Sequence, residues 1–131
     1  MGLNSVKGPK YVWSEGSLER LKIKLMVVMV EERPFLDPGL KLEDLADRLG
    51  LTHFQFTQLI LQGFDANFDA FVNEFRVEHV LNIYKNNVNQ SIYDLYYDAG
   101  FNNQATFREA FKGITGKFPS EVLGLKAVRL K

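Results

Sequence analysis

From Ser17 onward, apolar residues recur at helical spacing. Leu18, Leu21, Leu25, Val28 and Met29 follow a serine able to cap a helix, which predicts a helix from Ser17 to about Glu32. At roughly 100° per residue, Ile23, Met26, Val27 and Val30 form a second apolar stripe nearly opposite the first. A helix facing one core does not need that second stripe. It leaves three destinations open: the chain's own interior, a domain outside this segment, or a second copy in a dimer through Ile23, Val27 and Val30. Pro34, Pro38 and Gly39 break the pattern.

After the break, LEDLADRLG at 42–50 reads as a short helix, with Leu42, Leu45, Ala46 and Leu49 inward and Glu43, Asp44 and Asp47 outward. Gly50 suits a left-handed C-terminal position. Thr52 with Gln55 forms a capping box that restarts a helix over THFQFTQLILQ. Two helices this close around a glycine outline a helix-turn-helix. Asn67 to about Lys85 is the longest helical stretch, spanning about 28 Å at about 1.5 Å per residue. It carries Phe68, Phe71, Val72, Phe75 and His79 on one side and Val77, Val80, Leu81 and Tyr84 on another, so it can serve two small cores. Polar residues 86–90 end it, and Ser91 with Asp94 forms another capping box.

The segment after Ser91 repeats the one after Lys41. Leu42 matches Ile92, Asp44 matches Asp94, Leu45 matches Leu95 and Gly50 matches Gly100; beyond the glycine, Phe56 pairs with Phe107 and Ile60 with Phe111, with one extra residue in the second turn. The expected fold is therefore all-α, with about seven helices and two helix-turn-helix units joined by a long linker helix. Residues 1–16 form a tail, with Tyr11 and Trp13 docked on the body. Residues 17–66 hold the first helix and the first unit, 67–85 the linker, and 86–131 the second unit and C-terminal tail.

Gly100, Phe101, Phe107, Phe111, Lys112, Gly116 and Pro119, spaced as they are over residues 100–122, resemble the second-unit signature of the C-terminal DNA-binding domain of AraC/XylS transcription regulators. The resemblance covers about residues 40–123, and Arg76 matches the arginine of that family's linker helix. Five positions depart from it: Gln58 and Glu109 stand where the family usually has arginine, Tyr96 where it has alanine, Asp65 where it has glycine, and Val122 where it has a closing tyrosine. The resemblance implies a bacterial, cytoplasmic and nucleoid-associated regulator of transcription, more often an activator. It also implies contact with the transcription machinery and a sensor domain preceding this segment, in a parent protein that in some versions is membrane-anchored.

The side chains expected to meet DNA follow from the two second helices. In the first unit they are His53, Gln55, Thr57, Gln58 and Gln62; in the second, Asn102, Asn103, Gln104, Ala105, Thr106, Arg108, Glu109, Lys112 and Lys117. Gln and Asn pair with adenine, Arg prefers guanine, Glu accepts from cytosine, and Ala or Thr methyls touch the thymine methyl. The expected partner is double-stranded DNA, read in successive major-groove segments about 34 Å apart.

Charge changes this picture in one respect. Lys plus Arg and Asp plus Glu each number 16 in 131 residues, so the chain as a whole cannot coat nucleic acid by bulk charge. Residues 1–30 hold five basic and two acidic residues, 31–65 three and seven, 66–99 two and five, and 100–131 six and two. Phosphate binding is therefore expected chiefly from Arg108, Lys112, Lys117, Lys126, Arg129 and Lys131. The zero net charge, Glu109 and the second apolar stripe support a competing reading, a protein-interaction module that kept the fold and lost DNA binding. There is no cysteine, and the two histidines, His53 and His79, have no acidic neighbour at ligand spacing, so neither metal nor cofactor is expected. No carboxylate pair, nucleophile with a base, or phosphate-cradling loop points to an enzyme. The longest apolar run, Leu25 to Val30, is far short of a membrane span, and no membrane contact is expected of this segment.

Overall fold

A computed structural model describes residues 12–86 and 92–123. Among these residues seven α-helices follow one another: α1 (Glu15–Glu31), α2 (Leu42–Leu49), α3 (His53–Phe64), α4 (Phe68–Asn86), α5 (Ile92–Asp98), α6 (Gln104–Thr115) and α7 (Pro119–Leu123), with a 3-10 turn at Pro34–Leu36 between α1 and α2. Among the described residues there is no strand. The predicted capping box at Ser91 and the basic residues Lys126, Arg129 and Lys131 lie outside them, as does Tyr11.

Local chemistry sets the helix ends. Helix α1 starts earlier than its periodicity suggests, because Ser14 rather than Ser17 is the cap: its hydroxyl accepts from the Ser17 amide at 3.2 Å. Ser14 sits ahead of the apolar pattern, and capping takes place one turn before Leu18, the first side chain of the helix packed on the core. The Asp44 carboxylate accepts from the Lys41 amide at the start of α2, and Gly50 ends that helix at φ 71°. At the end of α3, Asp65 takes the left-handed conformation at φ 54°, so the turn that glycine usually makes in the family is kept by an acidic residue. Asn67 caps α4 by accepting from the Ala70 amide.

The amphipathic faces close around two cores. Leu25, Val28 and Met29 of α1, Phe35 of the 3-10 turn, Leu45, Ala46 and Leu49 of α2, Phe56, Leu59 and Ile60 of α3, and Phe71 and Val72 of α4 form the first. Val77 and Val80, later on α4, join Leu95, Ala99, Phe101, Phe107 and Phe111 in the second. Helix α4 thus supplies both. Tyr96, placed where the family usually has alanine, stacks on Phe107 with ring centres 5.3 Å apart. The second stripe of α1 stays outside both cores, with Ile23, Val27 and Val30 exposed.

One junction ties the two halves together. The Arg76 guanidinium donates from Nε to the Phe35 carbonyl at 2.7 Å and from Nη2 to the Asp37 carbonyl at 2.9 Å. Its other face lies 5.9 Å from the Phe101 ring centre. Gly100 presses into the same place: a Cβ there would lie 2.1 Å from the Phe35 carbonyl oxygen and 2.8 Å from Arg76 Nε, at a backbone φ of 103°. Only a residue without a side chain lets the turn before α6 approach the 3-10 turn so closely.

Candidate nucleic-acid interface

Helices α3 and α6 are the second helices of the two units, and each begins at a built cap. Thr52 accepts from the Gln55 amide, and the Gln55 side chain accepts in turn from the Thr52 amide, both at 3.1 Å. Asn103 accepts from the Thr106 amide at 2.8 Å at the start of α6. These caps leave the outward faces of both helices to side chains that no core requires.

On and around α6 the residues singled out in the sequence lie at the surface. Asn102, Asn103, Gln104, Ala105, Thr106, Arg108, Glu109, Lys112 and Lys117 are all exposed. Two of its cations are gathered at one place: the Arg108 guanidinium lies 4.4 Å and Lys112 Nζ 4.9 Å from the ring centre of Phe118. Lys112 Nζ also donates to the Gly116 carbonyl at 3.1 Å. Phe118 holds two positive groups side by side, one turn apart on the helix, through the attraction of a ring face for cations.

On α3 the expectation is partly corrected. Of His53, Gln55, Thr57, Gln58 and Gln62, only His53 is fully exposed; the other four are half-buried. The glutamines lie along the seat of Trp13, which packs on the first core and bonds along α3. Its amide donates to Gln62 Oε1 at 3.2 Å and its indole N–H to the Gln55 carbonyl at 3.3 Å. Gln62 Nε2 in turn donates to Gln58 Oε1 at 3.1 Å. Three glutamines assigned to base reading are therefore drawn into a chain of contacts anchored by the segment ahead of α1, and Gln55 spends its side chain on the cap. The docking of Trp13 was expected; its seat on these glutamines was not.

Two apolar residues of α3 are also exposed, Phe54 and Leu61, with 45% and 48% of their surface open. Sequence reasoning passed over both because it sorted helix faces by polarity. Their spacing of seven residues, which returns a helix to nearly the same direction, was the available signal.

Electrostatics divides the two units. His53 Nδ1 lies 3.6 Å from the Glu43 carboxylate, so the acidic face of α2 reaches the start of α3 instead of pointing wholly away from it. Both groups are open to water, and such a pair contributes little to stability. Arg48 is paired with Glu32. Behind the surface, burial lowers the Arg76 pKa from its usual range, with Asp37 and Asp69 acting in the opposite direction. Burial also lowers the His79 pKa, and nearby Arg33 adds to this while Asp98 opposes it.

A helix-turn-helix domain model of the AraC type matches residues 45–124, which includes α3, α4 and α6. No curated protein matches this chain significantly. Among solved structures, a Listeria innocua protein of unknown function superposes with a TM-score of 0.66 at 18% identity, covering 79% of this chain and 94% of its own. The C-terminal domain of AraT, a response regulator from Geobacillus stearothermophilus, superposes with a TM-score of 0.63 at 19% identity, covering 87% of this chain and 84% of that domain. At these identities both likenesses speak for the fold. With the matched family covering more than half of the chain, the protein belongs to the AraC-type helix-turn-helix family of DNA-binding transcription regulators.

Proposed function

We propose that this protein binds double-stranded DNA sequence-specifically through both α3 and α6, set in successive major-groove segments on one face of the duplex, and thereby activates transcription. The observation that carries the reading is the outward face of α6. Nine exposed candidate positions, from Asn102 to Lys117, include a pair of cations held on Phe118. Base readers such as Gln104, Ala105 and Arg108 sit beside phosphate donors such as Lys112 and Lys117, the combination a recognition helix needs. The second unit supplies most of the affinity, because residues 100–131 hold six basic residues against two acidic ones, whereas residues 31–65 hold three against seven. The first unit adds specificity.

The Arg76 junction supports use of both helices in one register. Two reading heads on a flexible hinge would each bind as a separate weak site, whereas a fixed relation between them turns one binding event into the other's pre-orientation. Selection from a random duplex library at low and moderate salt tests the proposal. An enriched motif of two blocks about 10 base pairs apart supports it. Lack of enrichment even at low salt overturns it and favours a fold that has lost DNA binding.

A further inference from the structure

The outward ridge of α3 is apolar where a base-reading helix would be expected to carry hydrogen-bonding groups. Phe54 and Leu61 are seven residues apart, so they point within about 20° of each other and lie about 10.5 Å apart along the axis. Neither is among the side chains packed on either core. Between them on the same face is Gln58, whose carboxamide oxygen already accepts from Gln62. The flanks are taken as well: Trp13 bonds to Gln55 and Gln62 on one side, and Glu43 faces His53 on the other. The most exposed side chains on the central ridge of α3 are therefore two hydrocarbon surfaces, with the half-buried Gln58 between them.

We propose that the first unit reads thymine by its 5-methyl group, with Phe54 and Leu61 as the specificity-determining residues and the contacted methyls about three base pairs apart. This rests on the DNA-binding reading above. The major groove displays one apolar feature, the thymine methyl, and an apolar side chain recognises it by burying it. The ridge length supports the spacing, since about 10.5 Å covers three steps of about 3.4 Å. Charge supports the mode of reading. Glu43, Asp44 and Asp47 are exposed on α2, Asp65 is exposed at the end of α3, and Arg48 is paired with Glu32. A helix in acidic surroundings gains little from phosphates, and methyl burial needs no charge.

The test replaces each thymine of the selected duplex by deoxyuridine, which removes the methyl and leaves base pairing intact, and measures affinity by fluorescence anisotropy. The expected result is a loss of about threefold to tenfold at two positions about three base pairs apart within one block of the motif. Phe54→Ser should erase the discrimination at one of these positions and Leu61→Gln at the other. Both side chains are exposed, so both variants should keep the wild-type circular dichroism spectrum. Thymine sensed by Ala105 or Thr106 of α6 would fall in the other block and survive both variants. Equal affinity for thymine and uracil throughout the first block overturns the inference while leaving sequence-specific binding intact, and so does discrimination there that persists in both variants. If no duplex is selected at all, the DNA-binding reading falls and this inference falls with it.

Discussion

Arg76 and Phe35 are 41 positions apart in sequence, and a 2.7 Å hydrogen bond from the guanidinium Nε to the Phe35 carbonyl joins them. This contact, with its companion to Asp37, connects the linker helix to the turn that precedes the first helix-turn-helix. The same guanidinium lies against Phe101 of the second. Arg76→Ala removes a charged donor from two carbonyls and should lower unfolding stability by about 2–3 kcal/mol in urea titrations. Arg76→Lys should recover only a minor part, because an ammonium lacks the planar fork that reaches both carbonyls. Full recovery by lysine would show that the fork is not what matters.

Gly100 and Gly113 should respond to alanine in opposite ways. At Gly100 the new Cβ would meet backbone at 2.1 Å, and φ is positive. The expected cost is about 2–4 kcal/mol, from overpacking and backbone strain together. At Gly113 a Cβ meets nothing within 4 Å. Gly113 lies inside α6, so alanine there should stabilise by about 0.5–1 kcal/mol through helix propensity. Thermal unfolding of the two variants side by side checks both signs.

His79 sits beside Phe35, with ring centres 5.9 Å apart, and its pKa is lowered mainly by burial. The folded state therefore holds the neutral imidazole, and the unfolded chain takes up the proton first as pH falls. The stability it confers is complete above its ordinary pKa of 6.5 and declines as pH drops below that value toward the lowered folded pKa. His79→Gln should flatten this decline in denaturation midpoints measured across pH 5 to 8. An unchanged pH profile in the variant would assign the decline to other groups.

Lys112 bears on affinity more than on reading. Lys112→Ala should reduce the slope of log affinity against log salt by about 1, with little change in the preferred motif. Arg108→Ala, removing the neighbouring cation on Phe118, should lower the slope and also relax base choice at one position. Titrations at several salt concentrations separate these two effects.

Much of the fold was legible because burial has a period. The inward faces of α2 and α4, the Thr52 and Gln55 box, and the glycine at the end of α2 all follow from spacing within one or two turns. The repeat supplied the second unit. What spacing could not show was contact between distant segments. Trp13 seated on α3 changes which glutamines are open, and the Arg76 junction depends on a backbone carbonyl, which has no signature in side-chain identity. On α6 the polar residues singled out in the sequence are exposed, because polarity and exposure coincide there. On α3 polarity and exposure part: Phe54 and Leu61 are exposed, while Gln55, Gln58 and Gln62 are half-buried along the chain of contacts that starts at Trp13.

The central claim, that both units engage one duplex, is tested most directly by guanine methylation protection on the selected DNA. The account predicts two protected major-groove patches on one face, about 10 base pairs apart, with Phe54→Ser and Leu61→Gln together weakening one patch and Arg108→Ala the other. Protection confined to a single patch, unaffected by changes on α3, would contradict it.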